Sequence, residues 1–354
     1  MRRRIAETLT LTLLVALTAC GPDDEDEREL GDHGSIAEGI SAPMGQPIPT
    51  ATADQLEAFE RGAAVALHRF TLEEGLGPAF NVTFCGSCHE RPTPGGSAGT
   101  YRNFFIGGEL DEDGAFFPTQ SAGPAGGVVR FYRYEDGESA HPELSAAANV
   151  IAQRNPIPFF GVGLIAEIPE SEILRHADPD DADGDGISGR PNFDRMFVGR
   201  FGRKSQTVSI EGFIRGPLFN HLGVTTDPLS EAQRAQLPVD SSGGAELLAP
   251  SDGATQTLHQ AQAAAPDGPL TDNDGADDPE MTTDELFDLV SFAMLMAAPE
   301  IEPRTEQTDR GAIAFDRVGC DGCHVPRLIG PRGPIPLYSD LLLHDMGPEL
   351  DDGL

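Results

Sequence analysis

The chain has 354 residues, 39 % of them hydrophobic, which is enough apolar material for a folded core and excludes a wholly disordered chain. Its 58 acidic residues face 24 basic ones, a formal charge of −34, so it lacks the cationic surface that nucleic acid requires. Five cysteines are too few for a disulfide-built scaffold; with no Trp and 6 % aromatic residues, something other than large rings, such as a bound cofactor, is expected to fill part of the interior.

In chain order, Arg2, Arg3 and Arg4 precede an apolar run from about Leu9 to Ala19. The run is shorter than the ~20 residues needed to span a bilayer and fits the apolar part of a secretory signal. It ends Leu17-Thr18-Ala19-Cys20-Gly21, which resembles the lipobox of bacterial lipoproteins. That resemblance implies a signal peptide over residues 1–19, cleavage before Cys20 and a diacylglycerol on its thiol. Residues 20–50, with a dense acidic run over 22–29, read as a solvated tether. The expected location is the periplasm or cell envelope, with the membrane engaged through the lipid anchor only.

Leu56, Phe59, Ala63, Ala66 and Phe70 recur at helical spacing and predict a helix over 53–70. The stretch from Gly95 to Gly137 is rich in Gly, Phe and Tyr without helical period and reads as loops and short strands. Pro169 to His176 predicts a short helix with Pro near its first turn. Residues 266–280 are acidic and polar and read as a linker. Leu286 to Ala298 predicts a helix, capped by Thr283-Asp284-Glu285. A weak repeat is visible: Arg61-Gly62 leads through an apolar helix towards Cys85, and Arg310-Gly311 leads through Phe315 to Cys320.

Cys85-Gly86-Ser87-Cys88-His89 and Cys320-Asp321-Gly322-Cys323-His324 are both C-x-x-C-H, the attachment signature of c-type haem. Two thiols at this spacing reach the two vinyl groups on one edge of the macrocycle, and the next residue, His, turns beneath the ring to bind iron. The cofactors expected are therefore two haem c, attached through Cys85, Cys88, Cys320 and Cys323, with His89 and His324 as proximal ligands. Zinc is disfavoured because the two pairs lie more than 200 residues apart, whereas a zinc ribbon holds them ~15–20 apart. Simple disulfides need no His after the second Cys, and a thioredoxin-like pair needs a βαβ context that is missing. Axial ligation decides between electron transfer and peroxide chemistry. Met346 and His344 are the candidate distal ligands of the second haem, and His141 and His221 are scattered histidines available to the first.

In the acidic stretch after Asp178, Asp181, Asp183 and Asp185 alternate before Gly186, and Ile187 follows. This is the first half of a calcium loop, with carboxylates at positions 1, 3 and 5 and a backbone carbonyl at 7. Asn192 stands where the bidentate Glu of a complete EF-hand would be. A poorer acidic run, Asp272 to Asp278, reads as linker. Gly161-x-Gly163-x-x-Ala166 matches a loose dinucleotide fingerprint, but it follows Pro156 and Pro158 and is cut short by Pro169, so a nicotinamide site is rejected.

Beyond these motifs the chain resembles the di-haem oxidoreductase family of peroxidase-like proteins, distant relatives of bacterial di-haem cytochrome c peroxidases and MauG-type enzymes. The resemblance runs from about Phe59 to the last residue. It rests on Gly75-Leu76-Gly77-Pro78-x-Phe80-Asn81, Gly161-x-Gly163-Leu164-x-x-Glu167-x-Pro169, Asp183-Gly184-Asp185-Gly186-Ile187-Ser188-Gly189-Arg190, Gly199-Arg200-Phe201-Gly202, and Tyr338 to Gly347. It implies a mainly α protein with two cytochrome c-like haem modules and a loop- and strand-rich insertion. The modules would occupy residues 51–265, with the insertion and calcium loop, and 281–354, joined by the acidic linker 266–280. It further implies that one haem takes electrons from a donor while the other reduces hydrogen peroxide, with calcium steadying the geometry between modules. The alternative is a non-catalytic di-haem electron-transfer cytochrome. The acidic charge predicts a basic donor protein, such as a small cytochrome c. Arg203 stands where members usually carry Trp, so a tryptophan relay between the haems is excluded. Members usually carry more of the second haem module beyond the point corresponding to Leu354.

Overall fold

The computed structural model describes residues 36–112, 116–118, 127–135, 138–194, 196–239, 271–272 and 274–351. Cys20, the expected signal peptide and most of the expected tether lie outside the described residues. Seven α-helices are described: α1 (Ala53–Leu67), α2 (Val162–Ala166), α3 (Glu170–Leu174), α4 (Ile210–Pro217), α5 (Glu231–Arg234), α6 (Thr283–Leu295) and α7 (Glu306–Val318).

Two long helices build the main core. Thr52 and Gln55 form a reciprocal capping box at the start of α1, and Thr282 and Glu285 form another at the start of α6, one residue ahead of the expected cap. The apolar face of α1 buries Ala58, Phe59 and Ala66; α6 is buried on nearly every side from Leu286 to Leu295, as a central helix must be. They cross at Gly62, where a Cβ would come within 2.0 Å of the Asp288 carbonyl oxygen. Arg61 grips Asp288 with two hydrogen bonds, Nε–Oδ2 at 2.8 Å and Nη2–Oδ1 at 2.9 Å, beside that crossing. α1 ends three residues before Phe70, because the Phe70 N–H donates to the Thr83 carbonyl and turns the chain towards Cys85. α6 ends at Leu295; Ala298–Pro299 then pairs in parallel with Ser41–Ala42.

The expectation of a mainly α fold is corrected. Among the described residues, helix accounts for 30 % and strand for 19 %, the strands forming several small sheets. One sheet sets Phe104–Leu110 between Phe116–Pro118 and Val150–Arg154, and another sets Tyr132–Glu135 between Ala79–Phe80 and Glu138–Ala140. The physical reason lies in 41 Gly and 29 Pro, which interrupt helices and leave short extended segments that satisfy their backbone groups by pairing.

A smaller core joins the parts of the chain around the second motif. Leu328 and Ile335, from the hairpin Arg327–Gly330/Gly333–Pro336, pack with Leu164, Ile168, Ile173 and Val198. Arg332 forms a two-point ion pair with Glu167, at 2.7 and 2.9 Å, across the same contact. Gly163 explains the rejected fingerprint: its missing side chain lets α2 approach α6, where a Cβ would fall 2.0 Å from the Met294 carbonyl oxygen.

Candidate functional site

The first C-x-x-C-H motif forms a tight helical turn, Cys85–Ser87, with His89 directly after it. The Cys88 and His89 N–H groups both donate to the Cys85 carbonyl, which folds the two thiols and the imidazole into one cluster. His89 Nδ1 lies 3.0 Å from the Gly96 carbonyl, to which only a protonated nitrogen can donate. Nε2 is thereby left with a lone pair, the form that binds iron. The ring stacks on Phe159 at 4.4 Å, and burial holds its pKa below the ordinary imidazole value against the pull of the Gly96 bond.

The motif opens onto a largely apolar cavity of about 340 Å³. Its wall includes Leu67, Phe104, Phe213, Leu289 and His221 as well as both cysteines and His89. Burial pushes the Cys85 thiol up to about 12 and the Cys88 thiol to about 11. Such surroundings oppose a thiolate, and with it reactive-thiol chemistry or zinc ligation, but accept a neutral thioether. Gly212 and Gly216, one helical turn apart on α4, both line the cavity, and a Cβ on Gly216 would meet nothing within 4 Å. That stretch of helix therefore leaves room for a flat group. Free thiols, a lone-pair imidazole and a bare helix face together fit a haem at the first motif.

His221 is the one of the two scattered histidines that reaches this cavity; His141 is exposed and bonded to the Phe131 carbonyl at 2.7 Å. His221 sits in a π-helical turn, Leu218–Leu222, that continues α4, a geometry often found at functional sites. Its Nδ1 lies 3.0 Å from Asn81 Nδ2. Burial first, then the charges of Arg130 and His89, lowers its pKa to about 4. Asn81 belongs to the Gly75–Asn81 motif, whose importance was visible in sequence but whose partner was not.

The second motif repeats the local geometry. A turn over Cys320–Gly322 follows α7 directly, and the His324 N–H donates to the Cys320 carbonyl. His324 Nδ1 lies 3.1 Å from the Tyr338 carbonyl, again leaving Nε2 with a lone pair. His344 contacts the thiol side: Nδ1 lies 3.8 Å from Cys323 Sγ and Nε2 2.7 Å from Asp340 Oδ2. Met346 is 63 % exposed. Neither candidate distal residue is brought to the His324 Nε2 by a described contact.

The acidic loop lies beside this second motif. An open cleft of about 650 Å³ is walled by Asp178, Asp183, Asp185 and Ile187 on one side and Gly322 and His344 on the other. Gly189–Arg190, just after the loop, pairs antiparallel with Leu343–His344. Carboxylate oxygens of Asp178, Asp181 and Asp183 lie within 4.8 Å of one another. Asp178 thus joins Asp181 and Asp183, while the Asp185 carboxylate is not part of that cluster and accepts the Ile187 N–H at 2.7 Å. A second set of oxygens, from Asp272, Asp278 and Glu280, also gathers within 4.8 Å, folded against Thr225 rather than extended. Burial first, then neighbouring carboxylates, raises Asp272 to about 6.

A family model described as "di-haem oxidoreductase, putative peroxidase" matches residues 130–354. No curated protein and no solved structure matches the chain.

Proposed function

The chain belongs to the di-haem oxidoreductase family, and on that premise we propose that it is an exported, lipid-anchored c-type cytochrome that reduces hydrogen peroxide with electrons from a periplasmic donor. The carrying observation is the apolar cavity at the first motif, which holds a lone-pair imidazole, two free thiols and a second histidine. When bound, haem supplies a redox-active iron that can pass two electrons to peroxide, giving two waters once two protons are delivered.

The chain's own residues would divide the remaining work. Cys85 and Cys88 would hold the macrocycle by thioethers, with Gly96 orienting His89 as the proximal ligand. Phe104, Phe213 and Leu289 would give the haem an apolar wall, which would strengthen the polar contacts inside. Cys320, Cys323 and His324 would hold the second haem nearer the surface, where electrons enter. The acidic loop would bind calcium through Asp178, Asp181 and Asp183 and brace that second site. The excess of acidic residues favours a basic donor, such as a small cytochrome c.

The test is peroxide-dependent oxidation of a reduced small cytochrome c by the membrane fraction of an exporting host. Turnover with a high-spin haem signal supports the peroxidase. Two low-spin haems inert to peroxide would instead identify an electron carrier. Turnover that does not fall as salt rises would rule out the basic donor.

A further inference from the structure

His89 and His221 line one cavity but are held in opposite tautomers. His89 donates from Nδ1 to a carbonyl, so its Nε2 offers a lone pair. His221 receives at Nδ1, because the group facing it is the amide nitrogen of Asn81. That amide cannot be turned round. Its oxygen accepts the Phe131 N–H at 2.7 Å and its nitrogen donates to the Val129 carbonyl at 3.1 Å; reversal would set donor against donor and acceptor against acceptor. A neutral imidazole that accepts at Nδ1 carries its proton on Nε2. The depressed pKa of His221 agrees with the neutral form.

The ring is also fixed in place. The His221 carbonyl accepts N–H groups from Asn81 at 2.7 Å and Val82 at 3.3 Å, and Phe104 meets the ring edge-on at 4.7 Å. Gly77 donates to the Leu222 carbonyl at 2.9 Å; next to it Gly223, at φ +81°, lies so near that a Cβ would be 2.1 Å from the Gly77 oxygen. The Gly75–Asn81 segment is thus a brace for the His221 turn, and Nε2 is left for the cavity.

We propose that His221 is not an iron ligand but a fixed N–H donor, locked by Asn81, that hydrogen-bonds the small molecule bound at the iron of the first haem. This rests on the reading that haem occupies the first motif. A nitrogen that carries a proton has no lone pair for iron, whereas an N–H fixed in a largely apolar cavity is suited to a polar diatomic or peroxide ligand. Asn81 is then a positioning residue, acting through the tautomer.

The probe is carbon monoxide on the reduced, haem-loaded full chain, read by infrared spectroscopy. One C–O stretch should shift to higher frequency in His221→Leu, return towards wild type in His221→Gln, and move on exchange of the wild type into D2O. The ferric spin state of the first haem should be the same in wild type and His221→Leu. A stretch insensitive to D2O in the wild type overturns the proposal even if the variants fail to mature. So does a change from low-spin to high-spin iron in His221→Leu, which would make His221 a ligand. Mass spectrometry of the Cys85–Cys88 peptide separates the two failures. Missing haem there sinks the functional reading and this inference together, whereas haem present with an unmoved stretch sinks only the role of His221.

Discussion

Ile187 of the acidic loop reaches the second C-x-x-C-H motif at Gly322: a Cβ on that glycine would come within 2.5 Å of Ile187 Cδ1. The loop therefore leans on the turn that carries Cys320 and Cys323. Its carboxylates are already curled inward, Asp181 accepting the Gly186 N–H and Asp183 the Asp185 N–H, each at 3.1 Å. Three gathered carboxylates repel one another unless a cation or proton lies between them.

Adding calcium is accordingly expected to raise the unfolding midpoint, and chelation to shift the spectrum of the second haem while leaving the first unchanged. Asp183→Asn should weaken both effects. Calorimetry and difference spectroscopy check this; a midpoint indifferent to calcium would remove the cation from the loop.

Replacing Cys85 and Cys88 by Ala should lower the iron-to-protein ratio from two to one, with the peptide around Cys320 still carrying haem. The reciprocal double substitution at Cys320 and Cys323 should do the same for the other site. Metal analysis with haem-peptide mass spectrometry provides the measurement, and a ratio unaffected by either pair would contradict thioether attachment.

Gly62→Val should be among the most damaging core substitutions. A side chain there meets the Asp288 carbonyl oxygen and Phe292 Cβ, at 2.0 and 2.6 Å for the first carbon alone, and both belong to the rigid central helix. Forcing α1 and α6 apart is expected to cost about 3 kcal/mol, read from chemical denaturation.

Asp272→Asn should stabilise the protein at neutral pH, measured in chelator. The folded state raises this carboxyl from its ordinary 3.8 to about 6, so the folded protein holds the proton more tightly than the unfolded chain. Below the unfolded value the wild type loses nothing; as pH rises through about 6 it loses stability, and Asn removes that loss. The gain is about 1 kcal/mol once solvent screening of a half-exposed group is allowed for, and it should vanish in acid. Thermal midpoints across the pH range decide the matter; a constant difference would contradict it.

Buried ion pairing supplies a further check on the core. Glu211 joins Arg234 through two bonds, at 2.7 and 3.0 Å, and also accepts the Leu229 N–H at 2.9 Å, with both side chains under 10 % exposed. Glu211→Ala takes both of these bonds from the Arg234 guanidinium and leaves the buried Leu229 N–H without its acceptor, so a loss of about 3 kcal/mol is expected by denaturation.

The amino-acid order alone determined where the two C-x-x-C-H motifs, the long helices and the run of alternating carboxylates lie. These are local: thiol spacing, a 3.6-residue period and alternating carboxylates are written in consecutive residues. The lack of helical period between Gly95 and Gly137 marked that stretch for loops and short strands, and three strands lie there, but their bounds and partners and most two-residue strands elsewhere escaped, because such short segments carry little periodicity and are extended only through distant partners. Helix α6, placed with the second haem module on sequence grounds, lies along α1 because its apolar surface extends nearly all round and needed a partner. Only the tertiary structure separated His221 from His141 and set Asp178 beside Asp181 and Asp183. It also joined Asn81 to His221 across 140 positions of sequence. Such pairings depend on how close packing orients whole elements, and the proton on one imidazole nitrogen depends in turn on which amide atom that packing brings to it.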